Sequence, residues 1–161
     1  MIAKQKYNYD VGSIFCVPLR NGGYATGVVA RCDHQGLVFG YFFGPQLQAL
    51  PESGQTRRLN PQDAILLGQF GDIGLKNGEW KLIDSIEHWN LDDWPMPPFC
   101  SPADDENMVT ITQYDDGTLN TKSVSTVYRS EETAKLPVDR VMGYGAVEIR
   151  LTRLLDVPQK S

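Results

Sequence analysis

The chain has 161 residues, 41% of them apolar and 22% charged, which suits one globular domain over residues 1–161 with a sizeable core. No run of about eighteen apolar residues exists, because Arg20, Arg31, Asp33 and scattered glycines interrupt every candidate, so a membrane-spanning helix is excluded. The net charge of −5 is unevenly spread, and its distribution argues against nucleic acid as a partner.

In chain order, residues 1–11 alternate polar and charged types without the apolar core of a signal peptide, and read as a flexible or edge N-terminus. Ile14-Phe15-Cys16-Val17-Pro18-Leu19 is a short apolar strand whose proline places its end at a sheet edge. Asn21-Gly22-Gly23 accepts positive φ cheaply and predicts a turn. Residues 24–30 then supply the returning strand, with Gly27 as a bulge or close-packing point. Leu37-Val38-Phe39-Gly40-Tyr41-Phe42-Phe43 reads as a third strand, and residues 44–60, with Pro45, Pro51 and Gly54, as a long loop.

Residues 65–70 are a fourth strand candidate. Asn77-Gly78 and Asp116-Gly117 each lie between apolar or β-branched runs, and both predict hairpins. Trp94-Pro95-Met96-Pro97-Pro98-Phe99 must be extended, since its prolines fix φ and bias their predecessors away from helix. Residues 146–155 place Val147, Leu151, Leu154 and Leu155 on one helical face, with Arg150 and Arg153 off it; Pro158 closes the helix and 158–161 form a tail. The expected fold is therefore α+β but mainly β. It is an antiparallel rolled sheet or partly open small barrel, with the C-terminal helix docked across it.

Between Asp84 and Asp116 lie nine of the chain's 20 acidic residues and none of its 15 Lys and Arg residues. The span carries −9 and the rest of the chain +4. Such a field repels a phosphate backbone and accelerates the approach of a basic protein. Within it, Trp89 and Trp94 flank Asp92 and Asp93, while Tyr114 precedes Asp115 and Asp116. Aromatics among acids suit a binding hot spot. The competing reading packs both tryptophans onto the sheet and leaves the acids as a solvated surface. The candidate partner-binding residues are Asp92, Asp93, Asp104, Asp105, Glu106, Asp115, Asp116, Trp89, Trp94 and Tyr114.

Motifs for chemistry are sparse. Cys16, Cys32 and Cys100 are an odd count with no Cys-x-x-Cys spacing, which argues against a disulfide framework and for a reducing, cytoplasmic compartment. Cys16 sits in an apolar run and reads as a core residue. His88 and Cys100 could pair as base and nucleophile, yet no glycine elbow surrounds Cys100. His34 lies in a polar turn, and no spacing joins it to His88 and the cysteines as a metal set. No catalytic residue, metal ligand or cofactor is assigned. A small hydrolase with a dispersed Cys/His/carboxylate site, or a barrel groove for peptides, are the alternative readings.

Gly12-Ser13-Ile14-Phe15-Cys16-Val17-Pro18-Leu19, followed by Gly22-Gly23-Tyr24-Ala25-Thr26-Gly27-Val28-Val29, resembles the start of the immunity protein 26 family. Gly78-Glu79-Trp80-Lys81-Leu82-Ile83 and the Trp94-to-Phe99 segment resemble its middle. Gly143-Tyr144-Gly145-Ala146-Val147-Glu148-Ile149-Arg150-Leu151 resembles its end. That likeness implies a bacterial protein of polymorphic-toxin or contact-dependent inhibition systems. Such proteins bind and neutralise a cognate toxin domain and have no activity of their own. It transfers no contact residues, so the candidate surface rests on charge and aromatic pattern alone.

Overall fold

The computed structural model describes residues 8–52, 54 and 58–156. The expected tail at 158–161, Pro158 and most of the expected N-terminal segment lie outside these.

Six strands form the main sheet: β1 (Ser13–Pro18), β2 (Tyr24–Cys32), β3 (Leu37–Leu47), β4 (Leu66–Gly71), β5 (Lys81–Ser85) and β9 (Val141–Met142). Their order is β5-β1-β2-β3-β4-β9, antiparallel except for the β4–β9 pair. Strands β6 (Phe99–Pro102), β7 (Met108–Tyr114) and β8 (Thr121–Tyr128) make a second, antiparallel sheet. Helices α1 (Ile73–Lys76) and α2 (Glu131–Ala134) are single turns, and α3 (Tyr144–Leu155) is the long one. The fold is mainly β with a C-terminal helix, as expected, and its two sheets stay open.

Strands β1 to β3 are apolar almost throughout because both faces of the main sheet are covered. On one face Phe15, Val17, Val29, Phe42, Phe70 and Trp80 meet Val147 and Leu151 of α3. On the other, Val28, Phe39, Tyr41 and Phe43 meet Trp94, Phe99 and Leu119. Successive residues of β3 therefore serve opposite cores, as the twofold period of a strand requires. Helix α3 buries Val147 and Leu151 fully, each contributing about 1.5–3 kcal/mol. Leu154 of the predicted stripe is 39% exposed, and Glu148 is buried instead.

Three expectations change. Asn77-Gly78 does not turn a hairpin. Instead Asn77 closes α1 by donating its N–H to the Ile73 carbonyl. Gly78 follows at φ 79, the left-handed residue that commonly ends a helix. Strand β5 then pairs with β1 rather than with the segment before it. The loop expected from residue 44 begins later, because β3 continues through a cis Gly44–Pro45 bond to Leu47, which pairs with Tyr24. Pro18 lies in an inner strand, but β5 partners β1 only as far as Cys16, so the proline needs no ladder donor on that side.

Gly27 is a close-packing point. A Cβ there would sit 2.3 Å from the Phe15 ring, which is stacked on Trp80 at 5.6 Å and cannot swing away. Gly27→Ala is expected to lose about 1–3 kcal/mol through overpacking. Gly71→Ala, where a Cβ meets nothing within 4 Å, is the control and should be near neutral. Urea midpoints measure both, and equal midpoints would remove the packing explanation.

Candidate functional site

The candidate residues lie on segments hung from the second face of the main sheet. Asn90 caps a 3-10 turn (Leu91–Asp93) by accepting the N–H of Asp92, which leaves Asp92 and Asp93 exposed at its surface. Trp94 follows and turns inward. It is 4% exposed and packs edge-on against Tyr41 and Phe43 at 5.1 and 6.1 Å. Trp89 stacks on Trp94 at 5.7 Å and is half-buried. The Tyr41 hydroxyl donates to the Pro95 carbonyl, tying the Pro-rich segment to β3. Trp94 is thus a core anchor with little of its ring at the surface, and its loss would report on folding.

The nine acids separate into groups. Asp115 and Asp116 sit at the tip of the β7–β8 hairpin, where Asp115 accepts from the Thr118 N–H, the Thr118 hydroxyl and the Gly117 N–H. Those bonds hold its carboxyl below the usual carboxylate range. Arg31, 3% exposed, draws the tip towards the Trp94 segment. Its Nε donates to Asp116 Oδ1 at 2.8 Å, and its Nη1 to the Trp94 and Ala30 carbonyls at 2.9 and 2.7 Å. Asp104, Asp105 and Glu106 are also exposed, but they occupy the β6–β7 turn, at the other end of β7 and about 20 Å away. The structure therefore brings Asp92, Asp93, Asp115, Asp116, Trp89 and Trp94 to one end of the second sheet and leaves 104–106 apart. Tyr114 is half-buried against Phe99 and donates to Asp139; burial, then that carboxylate, push its hydroxyl up to about 12.

An open groove of about 1350 Å³ runs beside the Trp94 segment, walled by Asp84, Glu87 and Asp93 with Trp94 and Tyr41 beneath. Among the described residues, Arg58 is the only Lys or Arg in its wall. A second groove, of about 1040 Å³, lies between α3, the edge of β4 and residues 134–143, and there Lys135, Arg140, Arg150 and Arg153 gather. Charge is thus separated over the surface as it is along the chain.

Among the described residues, no hydrogen bond or ion pair joins His88 to Cys100, and all three cysteines are free thiols. Burial pushes the Cys16 thiol up to about 11. No helix among the described residues is long and apolar enough to cross a membrane. Two residues with a part in local architecture give no signal of it in the sequence. Arg31 looks like an interruption in an apolar strand, and Asp10, remote from Cys32 and His34 along the chain, is placed beside them by the fold.

A sequence model of the family described as Immunity protein 26 matches residues 10–105, which span β1 to β6. The resemblance at residues 143–151 falls beyond that match. No curated protein and no solved structure matches the chain.

Proposed function

The chain belongs to the immunity protein 26 family, and from that premise we propose that it neutralises a cognate bacterial toxin domain by docking its acidic surface on a basic face of the toxin. The observation that carries this reading is the exposed acidic turn of Asp92 and Asp93, which leads directly into Trp94, whose carbonyl Arg31 ties to Asp116 of the hairpin tip. A toxin that cleaves nucleic acid fits best, because its substrate groove must be positive and ordered carboxylates compete for it. The protein acts by occupancy, without chemistry of its own. It works in the cytoplasm of the producing cell, as part of a polymorphic-toxin or contact-dependent inhibition system. Nucleic acid and membrane surfaces are not its partners.

The test begins with capture of the partner from the native cell and its identification by mass. Asp92→Lys with Asp93→Lys is then expected to slow association with that toxin by at least about tenfold at low salt, with a smaller effect as salt screens the field. Glu131→Lys with Glu132→Lys, outside the acidic span, should change the rate far less. Association that ignores both salt and the Asp92/Asp93 reversal would reduce the acidic surface to a solubility feature.

A further inference from the structure

The segment leading into β1 crosses the end of β2, where the Gly12 N–H donates to the Val29 carbonyl at 2.8 Å. This crossing sets Asp10 beside the β2–β3 turn. In that turn Asp33 Oδ1 accepts the N–H groups of Gln35 and Leu37, and His34 takes a left-handed backbone at φ 57. The imidazole Nε2 then lies 3.6 Å from Cys32 Sγ and 3.2 Å from Asp10 Oδ1, and the sulfur lies 3.8 Å from the same oxygen.

We propose that Asp10, Cys32 and His34 form a binding site for a zinc-class divalent metal ion, with water completing its coordination. The geometry carries this. Ordinary zinc bonds arranged tetrahedrally separate sulfur from nitrogen by about 3.6 Å, sulfur from oxygen by about 3.5 Å and nitrogen from oxygen by about 3.3 Å. Each of the three separations here lies close to the corresponding edge of that tetrahedron. Each contact is of hydrogen-bonding length, sulfur to nitrogen included, and together they close a triangle of three different donor atoms around a single point. One thiolate, one imidazole and one carboxylate are a donor set that suits zinc better than magnesium or calcium, which take oxygen alone. Cys32 is buried, whereas the Asp10 and His34 side chains are 68% and 53% exposed. The ion therefore sits at the surface with its free position towards solvent. On binding, the Cys32 S–H bond breaks, the sulfur–metal bond forms and the proton passes to buffer. The ion would clamp the segment before β1 to the β2–β3 turn, a staple unrelated to the acidic surface.

Zinc alone is the probe, titrated calorimetrically into the full chain after chelator treatment. One ion per chain is expected, with a rise in the thermal midpoint. Cobalt in its place should give the visible spectrum of a tetrahedral ion and a thiolate-to-metal charge-transfer band, and Cys32→Ser should abolish that band. Because Cys32 is buried and its variant could misfold, His34→Gln and Asp10→Asn at exposed side chains provide the decisive arm. Each should weaken zinc by more than the roughly 10- to 100-fold typical of outer-shell partners, with the metal-free midpoint unchanged. Absence of saturable zinc binding, or an affinity unmoved in both exposed variants, would show a hydrogen-bonded cluster only and overturn the proposal.

Discussion

Replacing Trp80 with alanine is expected to lower the unfolding free energy by about 3–5 kcal/mol, the usual range for deleting a fully buried large aromatic. Trp80 is 1% exposed and lies stacked on Phe15, with Phe70 and Tyr144 at 5.4 and 6.5 Å. It is also one of the points where α3 is held to the rest of the fold. Its Nε1 donates to the buried carboxylate of Glu148 at 2.9 Å, whose other oxygen meets Arg20 at 3.1 Å. Alanine leaves a cavity between helix and sheet and strips Glu148 of a donor. Since such domains are stable by only about 5–15 kcal/mol, the variant loses a large share of the total. Trp80→Phe keeps most of the ring but removes the N–H, and should lose about 1–3 kcal/mol. Urea denaturation orders the two. No loss for phenylalanine would show that the hydrogen bond to Glu148 contributes nothing, and a loss below about 1 kcal/mol for alanine would refute the anchoring role.

Trp80 also marks the limit of what the chain discloses before folding. Its neighbours Asn77 and Gly78 carry the same dipeptide signal that closes a hairpin, yet here they close one turn of helix. The choice is made by β5 finding β1, far upstream in the chain, which no local pattern encodes. Where partners are adjacent, local pattern suffices. Asn21-Gly22-Gly23 joins β1 to β2, and Asp116-Gly117 lies in the turn from β7 to β8, because turn and register are decided within a few residues. Pro45 shows the opposite failure. It reads as a breaker, but β3 runs on to a pairing at Leu47. At the candidate surface, the acidic density is legible as composition. The inward turn of Trp94 is not, since it depends on which face of the main sheet the Pro-rich segment covers. Asp10 is invisible for a similar reason. Cys32 and His34 stand two apart in sequence, but their third partner comes from a chain crossing.

Asp116→Ala is expected to destabilise the protein by about 2 kcal/mol, within the common range for a single substitution, although the residue is exposed among other acids. The reason is Arg31. Its guanidinium is buried, and Asp116 is the carboxylate that pairs with it. Removing one partner of a fully buried pair costs about 3–5 kcal/mol. Asp116 is 56% exposed, so water can reach part of the vacated side and the expected loss is smaller. Arg31→Met should cost a similar amount for a different reason, since the Trp94 and Ala30 carbonyls lose a charged donor, at about 1–3 kcal/mol for a buried group left unsatisfied. If the pair acts as a unit, the double variant will lose less than the sum of the two, with a coupling of about 0.5–3 kcal/mol. Asp92→Ala, at a solvated turn, should stay within about 0.5 kcal/mol of the parent protein. Fully additive losses at Arg31 and Asp116 would mean that the ion pair does not fix the hairpin tip. The acidic span is therefore expected to divide by task. Asp116 would hold the hairpin against the Trp94 segment, and Asp92 and Asp93 would be left for the proposed toxin contact. A charge reversal at the latter pair should slow binding without shifting the urea midpoint, whereas a change at Asp116 should do both.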